Sequence, residues 1–329
     1  MTLFDGIRQN NFVVVGRAGM DMFPHPPGTK TEEATEFHSD LGGSAANTAA
    51  GICKFGGKAD LVTRVSDDSV GRFCINRLKH YDVGVQHVTP IGGEFRNSLA
   101  VYESRVIEHQ TVIYRNGAAD FEMSQEDVSA VDYNAYGALI TAGTVFAAEP
   151  SRSATFHAFE KARAANLPII FDIDYRPYSW PSPEVAADVL SRAGALSDMI
   201  VGNDEEFGFM AGGIDKGLEM ARSLANTSAS VVIYKRGEHG AVTFANGEEI
   251  RTGIYPVEAL KPTGAGDSFM AGLMAALASN HDLQPALMRA SACAAVTVSK
   301  PGCAPAMPDL ATLEEFLSSH PGPTDPTEV

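Results

Sequence analysis

The sequence predicts an α/β protein: a parallel sheet with helices packed on both of its faces, and a small antiparallel lid beside it. Three observations lead there. Short apolar runs alternate with helix-like stretches along most of the chain, the pattern of strand–helix–strand units. Two stretches, 17–41 and 94–122, break that rhythm and hold no convincing helix. The 329 residues, 44% apolar and 20% charged, are enough to bury a large core without disulfides.

In chain order, Phe12–Val15, Asp60–Val65, Ala138–Ala142, Pro168–Asp172, Met199–Val201 and Val231–Tyr234 read as buried strands. Between them, Gly43–Phe55, Ser151–Ala165, Glu184–Leu196 and Lys216–Ala225 read as helices. In the two exceptional stretches, Leu99 and Val101 alternate with Ala100 and Tyr102, and Thr111–Arg115 follows. These segments read as extra strands that form the lid, because loops of that length without structure are uncommon in compact domains. The expected organisation is a core of residues 1–16, 42–93 and 123–320, a β-lid of 17–41 and 94–122, and a flexible tail of 321–329.

Cys53, Cys74, Cys293 and Cys303 contain no Cys-x-x-Cys pair, which argues against a zinc site or a disulfide framework and for thiols in a reducing compartment. The first apolar run, Phe12–Val15, is too short for a signal-peptide core or a membrane span, so a cytoplasmic location is expected. The net charge is −16 and the basic residues are scattered. Such a surface repels phosphate backbones and anionic lipid, which excludes nucleic acid and membrane as partners.

The strongest chemical signal is Lys261-Pro-Thr-Gly-Ala-Gly-Asp-Ser-Phe269, after which Phe269, Met270, Leu273, Met274 and Leu277 fall on one helical face. Gly264 and Gly266 thus lie in the turn entering a helix, where the lack of a Cβ lets backbone N–H groups approach a ligand. With the helix dipole they make an anion cradle. Asp267 stands in the first turn as a carboxylate beside it. A helix N-terminus weakens a carboxylate as a base, but the loose transition state of phosphoryl transfer tolerates a weak one. The P-loop pattern Gly-x-x-x-x-Gly-Lys-Ser/Thr is absent, as is Gly-x-Gly-x-x-Gly after the first strand. A second constellation places Asp21 just beyond the first strand, and Gly42 and Gly43 at the start of a helix that carries Asn47. A carboxylate and an amide beside close-approaching backbone suit a polyhydroxylated ligand.

On these residues the sequence resembles the ribokinase family, the PfkB carbohydrate kinases, over residues 11–315. Gly42-Gly-x-x-x-Asn47 with Gly56 is similar to the family's first signature, and Pro262-Thr-Gly-Ala-Gly-Asp267 to its second. The resemblance implies a ribokinase-like fold, a Rossmann-like three-layer core with a β-sheet lid, and a reaction that uses ATP and Mg2+. It implies Asp267 as general base, with the Gly264-Ala265-Gly266 backbone stabilising the transferring phosphoryl group, and Asp21, Gly42, Gly43 and Asn47 at the acceptor. Asn203-Asp-Glu-Glu206 resembles the family's Asn-x-x-Glu, where Glu206 would serve magnesium through water; alone it could equally be an ordinary helix start. Lys235-Arg-Gly237 resembles the segment along the nucleotide phosphates. Ser299-Lys300-Pro-Gly302-Cys303 resembles the loop near the adenine and a monovalent cation. Six residues before the base, many members carry an Asp or Asn that helps hold potassium. Here Lys261 stands, either supplying the positive charge itself or pointing to solvent.

Phe171–Trp180 places Asp172, Asp174 and Arg176 at the carboxyl end of a strand. In so acidic a chain, an arginine there suggests an anionic group on the acceptor, held by a planar fork, with Arg115 of the lid as a second contact. Alternatively, Arg176 pairs with Asp172 or Asp174. Asp174–Trp180, Leu260–Asp267 and Val298–Lys300 resemble the 5-dehydro-2-deoxygluconokinases of inositol catabolism, which implies a sugar-acid acceptor. The 2-dehydro-3-deoxygluconate kinases stand next, then fructokinases and nucleoside kinases. A sugar-sensing protein without turnover is the non-enzymatic alternative. The exposed edge of a lid sheet is where a second copy could pair to form a homodimer.

Overall fold

The structure, a computed structural model, describes residues 1–105 and 107–326; positions 327–329 of the expected tail lie outside them. In chain order the strands are β1 (Asn11–Val15), β2 (Gly19–His25), β3 (Glu36–Gly42), β4 (Lys58–Ser66), β5 (Gly84–Ile91), β6 (Leu99–Tyr102), β7 (Thr111–Tyr114), β8 (Ala138–Ala142), β9 (Ile169–Asp172), β10 (Met199–Asn203), β11 (Val231–Lys235), β12 (Ala241–Ala245) and β13 (Glu248–Thr252). The chain divides into two compact units, one of residues 1–15, 121–254 and 324–326, the other of residues 16–120 and 255–323.

In the first unit the strands run in the order β13-β12-β11-β10-β9-β8-β1. β1, β8, β9, β10 and β11 run parallel to one another, and β12 is antiparallel to both β11 and β13. Every residue of β8 and β9 is buried. Strands covered on both faces read as continuous apolar runs, which is how they stand out in the sequence. Helices Ser151–Ala164, Pro183–Ala195, Asp204–Ala211 and Gly217–Thr227 connect them. After β8, Phe146 is fully buried, its ring 4.9, 5.8 and 6.0 Å from those of Phe156, Phe159 and Phe171. The antiparallel hairpin of β12 and β13 was not anticipated. Its turn, Asn246-Gly247, has both residues at positive φ (53° and 77°), the signature of a tight two-residue connection. Thr324 ties one point of the expected tail: its N–H donates to Ile254 O at 2.8 Å and its hydroxyl accepts the Ile254 N–H at 3.1 Å.

The second unit holds the parallel pair β4–β5, the helices Ser44–Lys54 and Ser69–His80, and the helices Ala265–Ala278, Leu283–Val298 and Leu310–Ser319. It also holds a separate four-stranded sheet of order β3-β2-β6-β7. β2 is antiparallel to β3 and parallel to β6, and β6 is antiparallel to β7. These strands fall in the two stretches that broke the helical rhythm. Helix Ala265–Ala278 is placed by close approach on two sides. A Cβ at Gly51 would lie 2.5 Å from that of Ala271, and one at Gly272 would lie 2.5 Å from Cys293 Sγ. Among the described residues no helix is long and apolar enough to cross a membrane.

Phe146→Ala should lower the unfolding free energy by about 3–5 kcal/mol, through lost transfer energy and a cavity the neighbours only partly fill. Urea titration reads this as a lower midpoint with an unchanged slope. A midpoint equal to the parent's would show that the four-ring cluster is not part of a cooperative core.

Candidate functional site

The second unit builds a cradle at the N-terminus of helix Ala265–Ala278. Gly264 adopts a left-handed conformation (φ 82°) that turns the chain into the helix, and a side chain there would press on Cys303. Only glycine meets both demands. The first bond of the helix runs from Ser268 N–H to Gly264 O, 3.0 Å. The N–H groups of Ala265, Gly266 and Asp267 therefore have no acceptor within the helix, and Gly264 at the N-cap has no side chain to offer one. Three aligned donors and the positive end of the dipole suit an anion. Asp267 is half-buried beside them, and its Oδ2 accepts from Asn47 Nδ2 at 3.0 Å. One hydrogen bond thus joins the two sequence motifs.

The surface around that bond is rich in acceptors. Asn47 and Asp21 are buried, and among the described residues Asn47 Oδ1 and Asp21 Oδ1 have no hydrogen-bond partner. An unsatisfied buried acceptor costs roughly 1–3 kcal/mol, a cost that a ligand hydroxyl would relieve. Gly42 and Gly43 make the approach feasible. A Cβ on Gly42 would run into the Asp21 carboxylate, and one on Gly43 (φ 99°) into the Arg17 carbonyl. Burial pushes the Asp21 carboxyl up to about 7, against the pull of Arg17 and a hydrogen bond from the Cys303 thiol.

Lys261 does not point to solvent; it is wholly buried. Its ammonium donates to the carbonyls of Thr263 and Thr297, the latter at 3.4 Å. Burial lowers its pKa, while Cys303, Asp267 and Asp21 favour the charged form. Of the nearby loop residues, Lys300 is exposed and Gly302 is buried at φ 85°. Arg115 is buried in an ion pair with Asp120.

The first unit gathers acids at the ends of its strands. Asp172 closes β9, and Asp174 follows at φ 37°, an uncommon region that aspartate tolerates better than most residues. Its conformation is held by a bond from Thr144 Oγ1 (3.3 Å) and by Arg176 Nη2 at 2.7 Å. Arg176 Nη1 lies 3.9 Å from Glu206 Oε1, so the pairing of Arg176 with Asp174 is the one observed. Asn203 and Glu206 also form the helix start anticipated as an alternative. Asn203 Oδ1 accepts the Glu206 N–H and Glu206 Oε2 accepts the Asn203 N–H, both at 2.8 Å, a reciprocal capping box. Glu206 is nevertheless buried. Burial and then the charge of Asp172 raise its pKa, against Lys235 and Arg176, and burial likewise raises that of Asp172. Gly237, at φ 55°, is exposed just past Lys235. Among the described residues no three His, Cys, Asp or Glu side chains are arranged to hold a metal.

Sequence reasoning passed over Arg17 and Thr144, and took Cys303 only as part of a nucleotide-side loop. Arg17 precedes β2, which begins at Gly19, so strand alternation gives no signal for its side chain. For Cys303 and Thr144 no local signal existed, since their partners Gly264, Asp21 and Asp174 are distant in sequence.

Because Asp21 titrates near 7 when folded and near 3.8 when unfolded, its contribution is fully present below the unfolded value and lost as pH rises through about 7. Asp21→Asn should therefore flatten the fall in stability of the ligand-free protein between about pH 4 and 7. It should also weaken acceptor binding, because an amide cannot accept hydrogen bonds at both of its atoms. Denaturant titrations at several pH values check this; an unchanged profile would refute the buried, proton-holding role.

Residues 9–310 match the pfkB family of carbohydrate kinases. The 5-dehydro-2-deoxygluconokinase of Photobacterium profundum is 35% identical over 315 residues, 94% of this chain and 95% of its own length. A fructokinase with bound ATP from Xylella fastidiosa superposes with a TM-score of 0.83 at 20% identity, covering 94% of this chain and 98% of its own. A double mutant of the fructokinase of Vibrio cholerae O395, solved with fructose, ADP and a potassium ion, gives a TM-score of 0.81 at 25% identity, covering 93% of this chain and 98% of its own. The fold is thus ribokinase-like, and the pair of signatures united by the Asn47–Asp267 bond lies within the matched region. The chain belongs to the pfkB family of carbohydrate kinases, phosphotransferases that act on a sugar hydroxyl.

Proposed function

We propose that the protein transfers the γ-phosphoryl group of ATP to the 6-hydroxyl of 5-dehydro-2-deoxy-D-gluconate, forming the 6-phosphate and ADP. The observation that carries this reading is the 3.0 Å bond from Asn47 to Asp267 at the glycine-led N-terminus of a helix. It puts an oriented carboxylate next to an anion site. The 35% identical relative, by its name a 5-dehydro-2-deoxygluconokinase, supports the choice of sugar acid.

Asp267 takes the proton as the acceptor oxygen bonds to the γ-phosphorus and the bond to the β,γ-bridging oxygen breaks. Asn47 Nδ2 keeps the carboxylate turned toward the hydroxyl. The N–H groups of Ala265, Gly266 and Asp267 meet the charge on the transferring group, where fixed donors are worth most. Asp21 and Asn47 Oδ1 accept from other hydroxyls of the sugar, with Gly42 and Gly43 admitting it. Asn203, Lys235, Gly237, Lys300 and Gly302 serve the nucleotide. The raised pKa values of Asp172 and Glu206 reflect burial and crowded negative charge, a neighbourhood that favours a hydrated magnesium ion nearby rather than one ligated directly by three carboxylates. Magnesium keeps several waters, so Glu206, already engaged in the capping box, acts on it through water. When bound, the ion offsets the charge of the phosphates. The sheet of β2, β3, β6 and β7 acts as the lid over the acceptor, and its outer strands β3 and β7 are the edges at which a second copy would pair.

Lys261 stands in for a monovalent cation. A potassium ion 4 Å from an ammonium would be repelled by about 4 kcal/mol at an effective dielectric of 20, and the Thr263 and Thr297 carbonyls already have their cation.

Asp267→Asn should lower turnover by about 10²–10⁴-fold while ATP still binds; a coupled assay with a panel of sugar acids measures this and identifies the acceptor. More than a tenth of parental turnover, with chemistry rate-limiting, would remove Asp267 as the base. Activity should be the same in sodium, potassium and tetramethylammonium buffers at equal ionic strength, and Lys261→Asp should be weaker but activated by potassium. Strong potassium activation of the parent would exclude the substitution of cation by lysine.

A further inference from the structure

Lys54 is the last residue of helix Ser44–Lys54, the helix that carries Asn47. Its ammonium donates to three backbone carbonyls of one loop: those of Ala304 and Met307, each at 2.8 Å, and that of Pro305 at 3.3 Å. The same nitrogen lies over the ring of Tyr81, 5.6 Å from its centroid, within the range at which an aromatic face attracts a cation. Three oxygens and a ring thus surround one positive charge, and an ammonium has three donors to answer them. A lysine in the last turn of a helix is often no more than a favourable contact with the helix dipole. This one reaches past its own helix to grip another segment. The gripped loop is itself braced. Ala306 N–H donates to Cys303 O at 3.1 Å and Met307 N–H to Ala304 O at 3.3 Å. Cys303 backs onto the turn at Gly264, where a Cβ would stand 3.3 Å from its Cα, Cβ and Sγ. The loop is therefore fixed against the turn from which Asp267 springs.

Asn47, Gly51 and Lys54 are spaced four and three apart, so they form one stripe along the helix. The contacts of the stripe follow in the same order. Asn47 Nδ2 donates to Asp267 Oδ2 at 3.0 Å. A Cβ on Gly51 would stand 2.5 Å from that of Ala271 and 2.9 Å from Met307 Sδ. Lys54 then holds the 304–307 loop. Glycine in the middle of the stripe lets the two helices approach but has no side chain to stop one sliding along the other. The polar contacts at the two ends of the stripe fix that slide. The geometry assigns Lys54 as a positioning residue for phosphoryl transfer: by fastening the helix to the 304–307 loop it sets the reach of Asn47 to Asp267, and so the direction of the base. This rests on the reading of Asp267 as the base. A hydrogen bond weakens steeply with distance and angle, and a misplacement of about 1 Å at a reacting group can cost about 10²-fold in rate.

The test is a double-mutant cycle between Lys54→Met and Asn47→Ala, assayed with 5-dehydro-2-deoxygluconate and ATP. Thermal melts monitor folding. Lys54→Met keeps an unbranched stem and loses the charge with its three donors. It should lower kcat about 10–100-fold and leave KM for ATP unchanged. Because Lys54 acts through Asn47, the double variant should be no slower than Asn47→Ala alone. Should Lys54→Met melt too low to assay, Lys54→Gln, whose amide donates without the charge, enters the same cycle and decides by the same comparison. Parental kcat in a folded Lys54 variant overturns the assignment. Losses that multiply in the double variant overturn it too, since they mark the clamp as general support for the fold, and so does a raised KM for ATP. Parental turnover in Asp267→Asn removes the base itself, and the role of Lys54 with it, before the cycle is run.

Discussion

Lys261 has no contact with solvent, so its charge must be answered within the protein. Two backbone carbonyls answer it. Thr263 opens the turn into helix Ala265–Ala278, and Thr297 belongs to the last turn of helix Leu283–Val298, where the helix dipole already favours a cation. Both ends of the strap are reinforced by backbone bonds from Leu260 and Lys261 to Val298 O, at 2.8 and 3.2 Å. A buried ammonium deprived of these acceptors would be costly, and that cost enforces the shape of the loop. The left-handed turn at Gly264, the three outward N–H groups and the direction of Asp267 all follow from it.

The acids of the first unit obey a different rule. Glu206 does two things at once: one oxygen caps a helix, and the other lies near Arg176 in a crowded negative neighbourhood. Structural and chemical readings of Asn203–Glu206 are therefore not rivals. A capping box holds Glu206 in one rotamer, and a rigid carboxylate is what a water-mediated ion contact requires. Asp174 shows the same coupling, since its left-handed backbone is kept by the Thr144 and Arg176 contacts rather than by local preference.

Much of this was legible in the sequence, for reasons that differ by residue. Buried parallel strands such as β8 and β9 appear as unbroken apolar runs, and helix starts after glycine pairs appear as motifs. The glycine turn into helix Ala265–Ala278 was legible because Gly264 and Gly266 act through local backbone geometry. The hairpin of β12 and β13 was missed although Asn246-Gly247 announced it, because its outer strand, Glu248–Thr252, is largely charged and exposed. The direction of Lys261 was not legible, since its ammonium is held between a carbonyl two residues on and another 36 residues away. Nor were the partners of Arg17 and Arg176, because ion pairs between distant segments leave no periodic trace.

The arrangement of the units along the chain bears on how the protein is made. The second unit is interrupted: residues 16–120 are separated from 255–323 by the body of the first unit. Asn47 and Asp267 stand 220 positions apart, so the bond between them closes a very long loop. Closure of such a loop grows only slowly dearer with length, but it cannot begin before residue 267 of the 329 has left the ribosome. During synthesis the glycine-rich start of helix Ser44–Lys54 waits without its partner helix, its small-residue face uncovered. A chain that stops short of residue 267 lacks the carboxylate proposed as proton acceptor, so on that reading no half-built enzyme catalyses the reaction while it is still being translated.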